Sequence, residues 1–591
     1  MRSPGVIEGF WLPKAIRRSV LDGRRSWDES CFAGGRECGR ECDADTPGAV
    51  TARWPRLTEG DWTALLDRLA AARGRAPRGP EFWGRLRTAL GGIAQGLADP
   101  KSPARQGIEA IPAYTGYSPA MIASVMAAPE IWDLEQMATA LALEPTRAAT
   151  AHWQPLPGLP GRLRFFPSRA AKIAGVSGRL PVYSGLPLFG APETPGFVTG
   201  YGAGNVPGTA LIIVLLALST TLSGGAPPVV LVRNSRREPI FSPLILQALE
   251  EADEELVSTV AVLVWDYDDA ALQSRLLGRS DLVIAAAGDD TIARIAGQIP
   301  RVGDSSDRPR VRFHPHGHKV SFSAIGREVF ELGHQSALSS GEGGLVAAVA
   351  LLAGLDSVFW DQNGCLSSRI HFVERSTQRD AAPLEYAERL AGQLRRLSEV
   401  LPRGAWPLRQ LRDSFDRYKA LESLGGSSTG LQVLSDYDDP FVVILDERLP
   451  GRPSPNPGVF GALVNDCQGR VVIVRPVDDL MQLPRDYLSL LPTRSLQSLS
   501  VAVGRPGEGL SRRFLDFAGA CGACGVTAIR VVGRGAFPQL AYSWDGLLPL
   551  DLLRRRPPGH FTTIEFDRPF DAMMETYRAF VDRMAQTPSG Q

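Results

Sequence analysis

Residues 196–233 read GFVTGYGAGNVPGTALIIVLLALSTTLSGGAPPVVLVR. An extended run at 196–201 enters a turn rich in Gly and Pro. An apolar helix over 208–222 follows, then a β-branched strand ending at Arg233. Strand, glycine turn, helix and strand at this spacing form the unit of a parallel α/β sheet. The rhythm continues outward: 239–256 reads as a helix, 257–268 as a strand, 269–280 as a helix, 281–288 as a strand and 289–300 as a helix, with one more strand opening at 309–313. The expected fold class is therefore α/β, with a doubly wound, Rossmann-like unit at its centre.

A second α/β unit follows. An apolar helix at 344–353 leads through DQNGCLSS (361–368) into the strand IHFVE, and PFVVILDE (440–447), GRVVIVRPV (469–477) and LQSLSVAVG (496–504) read as further strands. The expected organisation is an irregular N-terminal arm over 1–50, a helical region over 51–160, a dinucleotide-binding domain over 161–313, a catalytic α/β domain over 314–525, and a C-terminal segment over 526–591 that returns to the cofactor domain.

The 591 residues are 44% hydrophobic and 22% charged, enough for a substantial core and against global disorder. Lys+Arg and Asp+Glu both number 64, which argues against a nucleic-acid binder acting through bulk charge. The apolar run 210–222 has 13 residues and carries Ser219, Thr220 and Thr221, whereas a membrane span needs about 20 apolar residues; it reads as a buried helix. The N-terminus lacks the apolar region of a signal peptide, and seven irregularly spaced Cys make no disulfide framework, so a reducing cytoplasm is the expected setting.

Four features carry chemistry. Cys365 sits in an Asn-Gly turn between a helix and a strand, where a thiolate can act as a nucleophile; a small buried cysteine is the plainer reading. Asn205, in GNVPG at a strand end, offers an amide to a developing oxyanion or simply shapes the turn. The run FHPHGHK (313–319) holds His314, His316 and His318, which read as a catalytic or positioning histidine, a metal site, or a surface strand. The segment VRNSRREP (232–239) stands where a Rossmann-like unit meets the adenosine ribose. Its Arg233, Arg236 and Arg237 suit a 2′-phosphate, with no carboxylate directly at the strand end; a solvated loop is the alternative. Neither the His run nor the Cys31, Cys38 and Cys42 cluster has a familiar metal-ligand spacing, and no metal is expected.

The ordered set GNVPG (204–208), VLVRNS (230–235), AAAGDDTI (285–292), GHKVSF (317–322) and DQNGCLSS (361–368) resembles the aldehyde dehydrogenase superfamily, and more closely its LuxC-type acyl-CoA reductases. TGYS (115–118) and RVVGRGAFPQLAYSWDG (530–546) share the likeness. The resemblance implies an aldehyde-dehydrogenase-like fold, Cys365 as the acyl-accepting nucleophile, and Asn205 with the Cys365 N–H as the oxyanion hole. Gly204, Arg233, Ser235, Arg236, Gly288 and Thr291 become cofactor contacts. Oxidising dehydrogenases carry a water-activating Glu where Pro315 or His316 falls here, and a reductase needs no such base. His318 is the first candidate for the proton-handling residue and His316 the second. The implied activity is NADPH-dependent reduction of an acyl-CoA or acyl-carrier-protein thioester to the aldehyde through acyl-Cys365, in a likely homo-oligomer with an acyl-activating synthetase as possible partner. An oxidative aldehyde dehydrogenase and a non-catalytic dinucleotide-binding subunit are the alternatives.

Overall fold

The structure is a computed structural model that describes residues 6–21, 26–33, 36–37, 49–97, 105, 108–126, 152–156, 158–167, 194–299, 311–332, 344–376, 381–425, 430–448, 457–537, 539, 541–548 and 559–586. Five strands, Phe197–Tyr201, Val229–Arg233, Val260–Leu263, Leu282–Ala286 and Arg312–His316, form an all-parallel sheet. The first strand lies at the centre, with the second and third on one side and the fourth and fifth on the other. The order therefore reverses between Phe197–Tyr201 and Leu282–Ala286, and ligands of doubly wound sheets bind beyond the strand ends at such a reversal. The loops leaving those two strands are GAGNVPG and AGDD.

The strands are apolar on both faces because both are covered. Val198, Val230, Val232, Val262 and Ile284 pack on the helix Thr209–Ser219 side. Val229, Leu231, Ala261, Val283 and Ala285 face Phe10, Leu12, Trp54 and the helix Glu59–Arg73.

That second cover corrects the expected irregular arm. Val6–Glu8, Val50–Pro55, Trp27–Ala33 and Arg36–Glu37 form a four-stranded sheet, and Trp11 pairs with Val262 through two backbone hydrogen bonds at the edge of the five-stranded sheet. The strand at 50–55 also opens the region expected to be helical. Cys38 and Cys42 lie outside the described residues.

The catalytic unit is a ten-stranded sheet. Seven neighbouring strands are parallel, in the order Val442–Asp446, Val471–Val477, Ser368–Glu374, Val320–Ile325, Leu496–Ala502, Ala528–Val531 and Gly559–Ile564. Two boundaries change. Ala528–Val531 and Gly559–Ile564 extend this sheet instead of returning to the cofactor domain, because each finds a parallel partner here. Arg162–Pro167, expected in the cofactor domain, pairs antiparallel with Gly559–Ile564.

The run Gly344–Gln362 is, among the described residues, long and apolar enough to cross a membrane by length and composition. Its apolar window is 89% buried inside the protein, as expected of a core helix.

Candidate active site

The nucleophile loop starts where that core helix breaks. Trp360, Asp361 and Gln362 have φ of 55°, 47° and 62°, three successive non-glycine residues in the left-handed region. Each such residue costs about 1–3 kcal/mol and persists only where its surroundings over-determine it. Here a fully buried ion pair does so: Arg470 Nε lies 2.7 Å from Asp361 Oδ1. Asp361 Oδ2 accepts from Gly404 N at 3.0 Å. Arg470 donates to Leu401 O, and Gln362 bridges Arg470 N and Ser368 O. Breaking such a pair strands a buried charge, so Arg470→Met is expected to cost about 3–5 kcal/mol. A lower urea midpoint would show it, and an unchanged midpoint would refute the clamp.

Cys365 follows, half-buried, with its carbonyl accepting from Ser321 Oγ at 2.8 Å. Burial pushes its thiol up to about 11; Asp545 acts in the same direction, while Lys319 and a hydrogen bond from Gln497 oppose it. The thiol is therefore not self-activating at neutral pH and needs a base.

Asn205 reaches this loop from the other sheet. Its Nδ2 donates to Asn363 O at 3.0 Å, two residues before Cys365, and its own carbonyl accepts from Tyr117 OH. Tyr117 packs edge-on against Trp360 and Trp406. GNVPG, TGYS and DQNGC, widely separated in sequence, thus meet at one point.

On the cofactor side, Gly204 is obligatory through close approach: a Cβ there would lie 2.1 Å from Ser235 Oγ. Ser235 Oγ accepts from Arg237 N at 3.1 Å. Glu238 is turned inward, its carboxylate accepting from Gly208, Ile240 and Phe241 N–H groups, so it ties the two loops together and leaves the ribose position. Gly288 caps the helix Asp289–Gln298 at the sheet reversal; a Cβ there would meet open space, and Thr291 lies in the helix's first turn.

Two expectations change here. Arg233 does not face a phosphate site: it is buried, its Nε donates to Trp265 O at 2.7 Å, and its guanidinium stacks 3.6 Å from the Tyr267 ring centroid. Arg236 is partly exposed and pairs with Asp266 at 2.5 Å, a carboxylate from the end of the neighbouring strand that the reading of 232–239 alone had no means to place.

The histidines also separate. His318 is exposed, its backbone N–H held by Asp289 Oδ1 at 2.9 Å, with no hydrogen bond to its ring among the described residues. His316 is buried, stacked on Trp544 with centroids 3.7 Å apart, and its Nδ1 hydrogen-bonds Asp545 Oδ2. The geometry therefore favours His316 over His318. Asp545 was missed in the sequence; its one local signal is the Asp-Gly dipeptide of a tight turn.

A sequence model of the family described as Acyl-CoA reductase (LuxC) matches residues 189–556. Among curated proteins, the long-chain acyl-protein thioester reductase of Aliivibrio fischeri is 25% identical over 207 residues, and the long-chain acyl-protein thioester reductase 2 of Photobacterium leiognathi is 23% identical over 206. Each match spans 34% of this chain and 36% of the relative. Among solved structures, the Delta-pyrroline-5-carboxylate dehydrogenase of Mycobacterium tuberculosis bound with NAD and cobalamin superposes with a TM-score of 0.55 at 14% identity, over 96% of this chain and 91% of that one. The salicylaldehyde dehydrogenase of Pseudomonas putida G7 gives 0.51 at 13%, over 91% and 98%. These likenesses establish an aldehyde-dehydrogenase-like fold.

Proposed function

Because this chain belongs to the LuxC family of acyl-CoA reductases, we propose that it reduces an acyl thioester, carried on coenzyme A or a carrier protein, to the aldehyde with NADPH through an acyl group on Cys365. The observation that carries this reading is the Asn205 to Asn363 hydrogen bond, which holds an amide donor from the cofactor sheet beside the only half-buried thiol of the catalytic unit among the described residues.

His316 takes the Cys365 proton, and the thiolate attacks the thioester carbonyl. Asn205 Nδ2 leaves Asn363 O and, with the Cys365 N–H, donates to the oxyanion. Collapse breaks the C–S bond to the carrier, whose thiolate takes the proton from His316 and departs. NADPH, when bound, supplies the hydride that reduces the acyl group. The resulting hemithioacetal on Cys365 breaks its C–S bond, releasing the aldehyde and restoring the thiol. The carboxylate nearest the sulfur, Asp545, is already engaged by His316 and Gln497, which leaves it poorly placed to activate water against the acyl-enzyme.

The residues fit a dinucleotide. The open backbone at Gly288, the Ser235 hydroxyl and the outward Arg236 and Arg237 line the sheet reversal, and an Arg pair suits a 2′-phosphate. Dodecanoyl-CoA without reductant is expected to add one acyl group to the protein mass, and NADPH to release dodecanal faster than NADH. Arg236→Ala with Arg237→Ala should shrink the ratio of the two cofactors' kcat/KM by about tenfold, each charged contact being worth roughly 1.5–3 kcal/mol. An absent adduct would overturn the reductase reading, and an unchanged ratio would overturn the 2′-phosphate site.

A further inference from the structure

Asp545 is built into the site with unusual definition. It occupies a tight Asp-Gly turn, with φ of 51° at Asp545 and 82° at Gly546, closed by paired backbone hydrogen bonds between Trp544 and Leu547. Asp-Gly is the dipeptide that accepts two successive left-handed residues. Gly546 cannot be replaced without crowding, since a Cβ there would lie 2.6 Å from the His560 Cβ. The turn delivers both carboxylate oxygens to fixed partners. Oδ2 meets His316 Nδ1, and Oδ1 accepts from Gln497 Nε2 at 2.7 Å. Lys319 Nζ stands 3.9 Å from Oδ2 and donates to Arg494 O. The preceding residue, Trp544, stacks on the imidazole and fixes its plane. The remaining ring nitrogen, His316 Nε2, is buried and has no hydrogen-bond partner among the described residues. Asp545, Lys319 and Gln497 also border the Cys365 sulfur.

We propose that Asp545 is a positioning residue, whose carboxylate fixes His316 as the Nδ1–H tautomer and leaves the Nε2 lone pair as the acceptor for the Cys365 proton. The assignment rests on the reading of Cys365 as nucleophile. The logic is that of any carboxylate–imidazole–nucleophile arrangement: the acid stays ionised, orients the ring and stabilises the imidazolium while the proton resides there. Gln497 in turn holds the second carboxylate oxygen, so Asp545 is not free to rotate toward Lys319. The charged and titratable groups facing this unit are Asp545, Lys319 and Cys365.

Asp545→Asn in the full chain tests it. An amide can donate to Nδ1 and so favours the wrong tautomer. Acylation by dodecanoyl-CoA without NADPH is expected to slow about 10²–10⁴-fold, as when the orienting carboxylate of such a unit is lost, with little change in KM. The pH profile of Cys365 alkylation by iodoacetamide should lose its near-neutral inflection and rise only toward the thiol's own high pKa. Asp545→Glu should restore part of the rate. In a His316→Ala background, Asp545→Asn should cost nothing further, because residues acting as one unit are not additive. An unmoved alkylation profile, or equal losses with and without His316, would reduce Asp545 to a structural residue. If Asp545→Asn does not fold, the comparison of Asp545→Glu with and without His316 decides by the same criterion. If wild-type Cys365 takes no acyl group, the nucleophile reading fails first; if it acylates and Asp545→Asn acylates normally, only the positioning role fails.

Discussion

Cys365→Ala is expected to abolish covalent acyl labelling and aldehyde formation while leaving NADPH affinity intact. The reason lies in the environments of the other thiols. Cys467 is fully buried, and burial pushes its thiol up to about 12. Cys521 and Cys524 are buried on the helix Arg512–Cys524, and Cys524 Sγ is engaged with Pro484 O. Cys31 lies in the N-terminal sheet, which covers the cofactor unit and not the nucleophile loop. Only Cys365 combines partial exposure with a base and an oxyanion donor beside it. The cofactor cradle is built from the loops after Phe197–Tyr201, Val229–Arg233 and Leu282–Ala286, so removing one sulfur from the other sheet leaves it in place. Intact-mass spectrometry with dodecanoyl-CoA and fluorescence titration with NADPH read the two effects separately. A persistent acyl adduct in Cys365→Ala would sink the assignment.

The central sheet was legible because its strands are short β-branched runs and its helices are uninterrupted. Residues 196–300 carry that alternation without a break, and covering both faces made the strands uniformly apolar. The N-terminal sheet was hidden for the opposite reason. Trp27–Ala33, Arg36–Glu37 and Val50–Pro55 mix Arg, Asp, Glu and Ser with their apolar residues and pair across gaps in sequence, so no local period betrays them. Membership of a sheet by Arg162–Pro167 depends on a partner about 400 positions away, which periodicity does not encode. The site divides similarly. GNVPG and DQNGC were visible as turns with chemistry, but their meeting is a property of the fold. Choosing between His316 and His318 required knowing that the strand ends at His316 and that Asp545, 229 positions later, meets that ring. The error over Arg233 has a plain cause: as the last strand residue its side chain enters the buried face beside Tyr201 and Tyr267, a place that sequence position alone equates with the phosphate site.

Asn205→Ala is expected to cut single-turnover acylation and kcat by about 10²–10³-fold with little change in the KM for acyl-CoA. An oxyanion donor acts on charge that exists only once the thiolate has attacked, so its removal raises the barrier and spares ground-state binding. In the resting protein the same amide bonds Asn363 O at 3.0 Å. That bond holds the donor at the loop until the carbonyl oxygen of the substrate competes for it. The alternative is that the bond merely pins the nucleophile loop to the GNVPG turn. Its loss would then lower the melting temperature and cofactor affinity in step with turnover. Two features argue that the loop keeps its shape without Asn205. The Asp361–Arg470 pair fixes the left-handed run independently, and Tyr117 reaches Asn205 through the backbone carbonyl, which alanine retains. Asn205→Ala should therefore fold, bind NADPH and alkylate at Cys365 at a near-normal rate, because thiolate formation depends on His316 and not on the amide. Asn205→Asp offers the same shape with an acceptor where the donor stood and should be at least as impaired. Near-normal acylation in a folded Asn205→Ala variant would remove the oxyanion role. It would also weaken the assignment of Cys365, since the two residues lie 160 positions apart in sequence and share a mechanism only through this fold.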